Sequence, residues 1–153
     1  MIIDIPDLKK IKDHKNRLLS LDVGEKTIGL AISDTMWMIA TPHEMIKRKS
    51  LQADVDMLLS IKKQYNVMAF VMGYPLHMNG TEGASCARVM QLIDALGDVF
   101  PVFLWDERLS TAAVERTLIE ADTSRKKRKK VIDKLAASYI LQGVLNRLCY
   151  SAH

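Results

Sequence analysis

The hydrophobic positions of this chain change their period several times, and each change marks an element. Residues 17–22 (RLLSLD) and 28–33 (IGLAIS) are apolar runs joined by a short polar link containing Gly24, a pattern that predicts a β-hairpin. A weaker strand is expected near residues 39–46. From residue 51 the spacing lengthens, and Leu51, Val55, Leu58 and Leu59 share one face of a helix ending near Tyr65. Residues 67–72 (VMAFVM) are continuously apolar, as a strand buried on both faces requires, and Gly73-Tyr74-Pro75 stops them. A second helix is expected over about residues 83–96, with Cys86, Val89, Met90, Ile93 and Leu96 as its core stripe, followed by a strand at 102–105. Ser110 is suited to cap a third helix running to residue 120. Residues 132–148 give the cleanest helix, with Ile132, Leu135, Ala136, Tyr139, Ile140 and Gly143 on one side.

This order predicts an α/β fold: a mixed five-stranded sheet flanked by helices, with the later strands parallel to the first and reached by helical crossovers. A chain of 153 residues, 48% hydrophobic, can bury one core, so residues 17–150 read as one domain and residues 1–16 as an N-terminal extension. The opening MIIDIPDLKKIKDHK alternates acids and bases without an apolar segment, and no apolar run approaches the roughly 20 residues of a membrane span. A cytoplasmic protein with no membrane association is expected. Cys86 and Cys149 match no metal or redox spacing and read as reduced thiols.

Charge sharpens this picture by its location. The net charge is +4, yet Arg125, Lys126, Lys127, Arg128, Lys129 and Lys130 form one uninterrupted basic run, without which the chain is slightly acidic. Such a run is ordinarily a solvated loop. Clustered Lys and Arg also gain affinity for nucleic acid by releasing its counterions. Position decides between the two, and the acids supply it. In open α/β sheets ligands bind beyond the carboxyl ends of the parallel strands. Asp22 ends the first strand, Asp106 and Glu107 end the last (VFLWDERLST), and Asp133 opens the final helix (VIDKLAASYI) just after the basic run. Taken singly, each is an ordinary turn or cap residue. Together, crowded carboxylates repel one another unless a cation neutralises them, and an oxygen-only donor set suits one or two Mg²⁺ or Mn²⁺ ions. Ions so held support phosphodiester hydrolysis. Gly24 would let metal or phosphate approach the backbone, and Ala136 and Ala137 would let the helix pack close to the strand carrying Asp22.

The ordered segments LDVGEKTIGLAISD, VMGYPLHMNGTEG, WDERLSTAAVE and VIDKLAASYIL resemble the YqgF/RuvX family, described as Holliday junction resolvases or pre-16S rRNA nucleases, over about residues 17–148. The resemblance implies an RNase H-like fold and a metal-dependent nuclease, a hydrolase of ester bonds, with Asp22, the acid of the DER motif and Asp133 as its acidic positions. Strand alternation sets Asp106 and Glu107 on opposite faces, so one of them faces the metal, with Glu107 preferred and Asp106 second. Arg108 is then available to a phosphate, or pairs with Asp106. Ser110 and Thr111 bond phosphate or cap a helix. Lys26 lies in the turn after Asp22, and the basic run becomes a phosphate-binding flap beside Asp133. The helix after the GYPLHMNGTEG loop offers its N-terminus to a phosphate, with Arg88 a weaker contact and His77 no catalytic role. Lys47, Arg48 and Lys49 read as a solvated charged turn.

The expected activity is endonucleolytic 5′-end processing of precursor 16S rRNA, a step of ribosome biogenesis. Two alternatives remain: a Holliday junction resolvase acting on four-way DNA, and a non-catalytic nucleic-acid-binding protein. An actin-like ATPase also carries a DxG hairpin, but it needs two such domains to close over a nucleotide. A junction resolvase needs a dimer, and no oligomerisation stripe is evident, so a monomer or weak homodimer is expected.

Overall fold

A computed structural model describes residues 1–98, 100–109 and 125–150. The first half contains β1 (Ile2–Ile3), α1 (Ile5–Lys10), β2 (Arg17–Val23), β3 (Thr27–Ser33), β4 (Ala40–Pro42) and β5 (Ile46–Lys47). There follow α2 (Leu51–Tyr65), β6 (Val67–Tyr74), α3 (Ala84–Leu96), β7 (Val102–Asp106), a 3₁₀ turn (Glu107–Leu109) and α4 (Arg125–Tyr150).

The strands form one mixed sheet in the order β1-β7-β6-β2-β3-β4, with β5 also paired to β3. As the two apolar runs and their short polar link predict, β2 and β3 are an antiparallel hairpin, with Leu21 opposite Leu30 and Asp22 opposite Gly29. β6 lies parallel to β2, and β7 parallel to β6. Their carboxyl ends therefore sit side by side. The register slips once, where Arg17 pairs with Val67 but Leu18 with Ala69. The extra residue, Met68, resets the alternation, so Val67 and Phe70 bury on the same face.

Two cores result, one on each side of the sheet. Leu19, Leu21 and Val23 of β2 pack with Phe70 and Met72 against Val55 and Leu58 of α2 and Val89 and Leu92 of α3. Leu18, Ala69, Val71 and Phe103 pack on the other face against Ala137, Ile140, Leu141 and Val144 of α4. Burying both faces explains the continuous apolar character of β6.

The described residues contain seven strands where the sequence suggests five, through two local differences. The strand expected at 39–46 is split into β4 and β5, with His43 N–H donating to Leu30 O at 2.8 Å just past the end of β4. Residues 1–16, read as an extension, add β1 alongside β7 and a short helix whose Leu8 is fully buried. Asp4 and Asp7 cap that helix reciprocally, with Pro6 in its first turn. The last helix also differs, beginning at Arg125 rather than residue 132. The basic run thus forms the first turns of α4 instead of a loop-like flap, consistent with the good helix propensity of Lys and Arg and the absence of any Gly or Pro before Asp133. The helix expected over residues 110–120, with Ser110 and Thr111, lies outside the described residues. No helix among the described residues is long and apolar enough to cross a membrane.

Candidate active site

Register brings the acids toward one row. Leu21 is opposite Met72, Met72 opposite Leu104, and Gly73 opposite Trp105. Asp22 follows Leu21, so it stands level with Gly73 on the neighbouring strand, about 4.8 Å away across the sheet. Alternation along β2 turns Leu18, Ser20 and Asp22 to the α4 face. Ser20 confirms that direction, because its buried hydroxyl donates to Ala137 O in α4 at 2.6 Å.

The helix runs against β2. Gln142 Oε1 accepts from Ala40 N at 2.9 Å; Ala40 is opposite Ser33, whose hydroxyl accepts from Leu18 N at the amino end of β2. Ala137 lies farther along β2, over Ser20. Asp133 is one helical turn before Ala137, so the backbone of α4 carries it toward the end of β2 where Asp22 sits. The Asp133 side chain lies outside the described residues, as do the side chains of residues 125–130.

Asp106 and Glu107 part company because the strand ends between them. Asp106 is the last residue of β7, opposite Tyr74, and Glu107 begins the 3₁₀ turn. The Glu107 carboxylate folds back over Gly73: a Cβ added there would lie 2.5 Å from Glu107 Oε1 and 2.7 Å from Ile140 Cδ1. Both atoms occupy the α4 face of β6, the face to which Asp22 is turned. Gly73 therefore serves a close approach rather than a turn.

Asp106 is held elsewhere. Arg108 Nε donates to its two carboxylate oxygens at 3.1 and 3.2 Å, and Nη2 donates to Oδ2 at 2.8 Å. Those hydrogen bonds hold the Asp106 carboxyl below the usual carboxylate range. Since its folded-state pKa is the lower one, the pair contributes stability at pH above the ordinary Asp value. That contribution fades as acid takes the pH down through the folded value. Arg108 Nη1 also donates to Met78 O at 3.3 Å, tying the 75–83 loop to the end of β7. We expect Arg108→Ala to raise amide exchange at His77 and Gly80, whose N–H groups close that loop onto Thr81 O and His77 O, while α3 amides stay protected; unchanged exchange would show the loop to be self-supporting.

Other groups line the same edge. Lys26 is exposed in the hairpin turn. The His77 ring packs against Gly83, the N-cap of α3, where an added Cβ would displace it. Arg88 donates to Ser85 Oγ at 3.0 Å. Tyr74, at the end of β6, is buried; burial first, then the neighbouring Glu82, pushes its hydroxyl pKa up, so it stays a neutral phenol. Arg48 departs from the solvated turn expected for residues 47–49. Its Nε pairs with the buried carboxylate of Asp54 at 2.9 Å, and its Nη1 donates to Gly24 O at 2.9 Å. The only sequence signal for this pair is an acid placed in the first turn of α2 near the helix's apolar face.

Among the described residues no three His, Cys, Asp or Glu side chains gather as metal ligands. Asp22 and Glu107 supply two carboxylates on one face, and the backbone of α4 carries Asp133 toward them.

Comparison with known proteins bears on this edge of the sheet. A family model described as "RuvX: Holliday junction resolvase" matches residues 16–147. The chain is 49% identical over 132 residues to a protein of Paramagnetospirillum magneticum named "Putative pre-16S rRNA nuclease", covering 85% of each chain. Proteins of the same name from Beijerinckia indica and Rhizobium meliloti are 44% and 48% identical, covering 97% and 96% of this chain and 92% and 90% of their own lengths. Among solved structures, T. thermophilus RuvC in complex with Holliday junction substrate superposes with a TM-score of 0.55 at 11% identity, covering 87% of this chain and 96% of that one. That likeness is one of fold, and it agrees with the RNase H-like architecture the sequence suggests.

Proposed function

The chain belongs to the RuvX family, and from that premise we propose that it is a metal-dependent endonuclease that trims the 5′ end of precursor 16S rRNA in the cytoplasm. The observation that carries the reading is the convergence of Asp22 and Glu107 on the α4 face at the ends of β2 and β7, the strands on either side of β6, with the Glu107 carboxylate in the space left by Gly73. The names of the relatives support RNA as the substrate.

The residues present fit a divalent ion. Their donors are carboxylate oxygens, which suit Mg²⁺ or Mn²⁺, and the missing Cβ of Gly73 leaves the carboxylate room beside the backbone. Asp22, Glu107 and Asp133 would hold one or two ions. When bound, the metal supplies Lewis-acid stabilisation of the phosphoryl oxygens and a hydroxide at neutral pH. The chain's own groups bind and orient the strand. Lys26 and residues 125–130, with Thr111, would contact phosphates. Arg108, committed to Asp106, would orient the 75–83 loop beside the strand and offer its outer N–H groups to a phosphate. Asp106 serves that pair rather than the metal. A monomer suffices for this reaction.

The second reading is resolution of four-way DNA junctions, favoured by the family's description and requiring a dimer. Cleavage of two labelled substrates in Mg²⁺ or Mn²⁺, a precursor 16S rRNA fragment and a four-way junction, separates the readings. We expect the RNA to be cut and the junction left whole. Cleavage of the junction alone selects the second reading, and cleavage of neither sinks the nuclease assignment. Replacing residues 125–130 by Gln is expected to weaken RNA binding and flatten its salt dependence by about 0.7 in slope for each phosphate no longer neutralised, measured by fluorescence anisotropy across a KCl series; an unchanged slope would exclude the run from the interface.

A further inference from the structure

Arg48 and Asp54 are the described ion pair most removed from solvent, the side chain of Asp54 being 3% exposed and that of Arg48 15%. Buried ion pairs add little net stability over an apolar pair of the same volume, so what such a pair orients is the informative question. This one reaches the tip of the β2–β3 hairpin. Arg48 Nη1 donates to Gly24 O and its backbone N–H donates to Lys26 O, each at 2.9 Å, so one residue grips both sides of the tip. Asp54 fixes the guanidinium from the first turn of α2, where the helix dipole favours a carboxylate. β5, paired with Thr27 and Ile28, delivers Arg48 to this place.

The tip matters because of what lies next to it. The last β2–β6 pair is Leu21 with Met72, so Asp22 stands one residue beyond the lateral support of β6. From there onward β2 is held through the hairpin, by Asp22 opposite Gly29, Val23 opposite Ile28, and Gly24 N–H on Thr27 O at 2.9 Å. Hairpin ends open most readily in a sheet, and a clamp on the tip closes this one. We propose that Arg48 and Asp54 are a positioning pair that clamps the hairpin tip and thereby fixes the Asp22 carboxylate for a divalent ion, an inference that rests on the metal-dependent reading above.

The test is Mn²⁺ binding to the full chain without nucleic acid, read from the electron paramagnetic resonance signal of free Mn²⁺, beside a thermal melt of each variant. R48M/D54L removes both charges, leaving neither buried alone. It is expected to melt cooperatively and to bind Mn²⁺ about tenfold or more weakly, the usual cost of losing a group that orients a metal ligand. F100L, which loosens the Phe100–Phe70 contact just before β7, at the opposite end of the strands from the hairpin tip, is expected to keep the wild-type Kd. A wild-type Kd in R48M/D54L overturns the proposal, as does an equal weakening in F100L. If the double variant fails to fold, R48K takes its place. It keeps Asp54 paired but has one nitrogen for both acceptors, and a wild-type Kd there also overturns the positioning role. Asp22→Asn separates the two levels. Lost Mn²⁺ binding in Asp22→Asn with a wild-type Kd in R48M/D54L sinks the clamp alone, whereas wild-type binding in Asp22→Asn sinks the metal reading and the clamp with it.

Discussion

Asp22→Asn is expected to abolish metal-dependent cleavage of RNA while leaving the fold intact. The substitution keeps the shape of the side chain and removes its charge. In the proposed site that charge neutralises a divalent ion and steadies the phosphate around which negative charge builds. Losing one preorganised electrostatic contact of this kind costs about 10²–10³-fold in rate, or roughly 3–4 kcal/mol of barrier. Stability should change little, because Asp22 is only partly buried and Asn keeps the shape of its side chain. The measurement is single-turnover cleavage with saturating Mg²⁺ or Mn²⁺ alongside a circular dichroism melt. Wild-type cleavage by Asp22→Asn would remove Asp22 from the chemistry altogether.

Gly73→Ala is expected to damage both stability and cleavage, for separable reasons. The new methyl would meet Glu107 Oε1 at 2.5 Å and Ile140 Cδ1 at 2.7 Å, both closer than real Cβ contacts allow. Overpacking a core position typically costs about 1–3 kcal/mol, here through Ile140 and the seat of α4 on the sheet. Moving the Glu107 carboxylate aside by about 1 Å can cost on the order of 10²-fold in rate. A second substitution divides the two effects: Ile140→Val removes the Cδ1 atom and so relieves the helix contact but not the carboxylate contact. The double variant Gly73→Ala/Ile140→Val should recover stability relative to Gly73→Ala, measured by urea denaturation, while cleavage stays low. Recovery of cleavage together with stability would mean that Glu107 does not depend on the space at Gly73.

The two substitutions probe different kinds of information. Asp22 stands out in the sequence because a lone carboxylate closes an otherwise apolar run. The requirement at Gly73 does not, since a glycine after an apolar strand reads first as a turn. Its role comes from Glu107, 34 positions later, and from Ile140 on the last helix. The same holds for the DER motif. Alternation predicts that its two acids part, whereas in the structure the strand stops between them, Glu107 turning toward β6 and Arg108 reaching back to take the Asp106 carboxylate.

What the sequence by itself determined was whatever depends on near neighbours. The apolar runs dictated the hairpin and the parallel strands, the lengthened spacing dictated the helices on both faces, and acids placed where apolar runs stop marked the edge of the sheet at which they meet. Only the tertiary structure decided the fate of groups whose partners are distant. Residues 1–16 became an edge strand and a packed helix because β7 offered a free edge and the α4 face a place for Leu8. Arg48, indistinguishable in sequence from its charged neighbours, became a buried clamp because β5 and α2 bring Gly24 O and Asp54 within 2.9 Å of it. Periodicity reports which side of an element is apolar. Whether a charge is solvated, paired or aimed at a neighbouring strand depends on what the rest of the chain brings against it, and a local pattern does not hold that information.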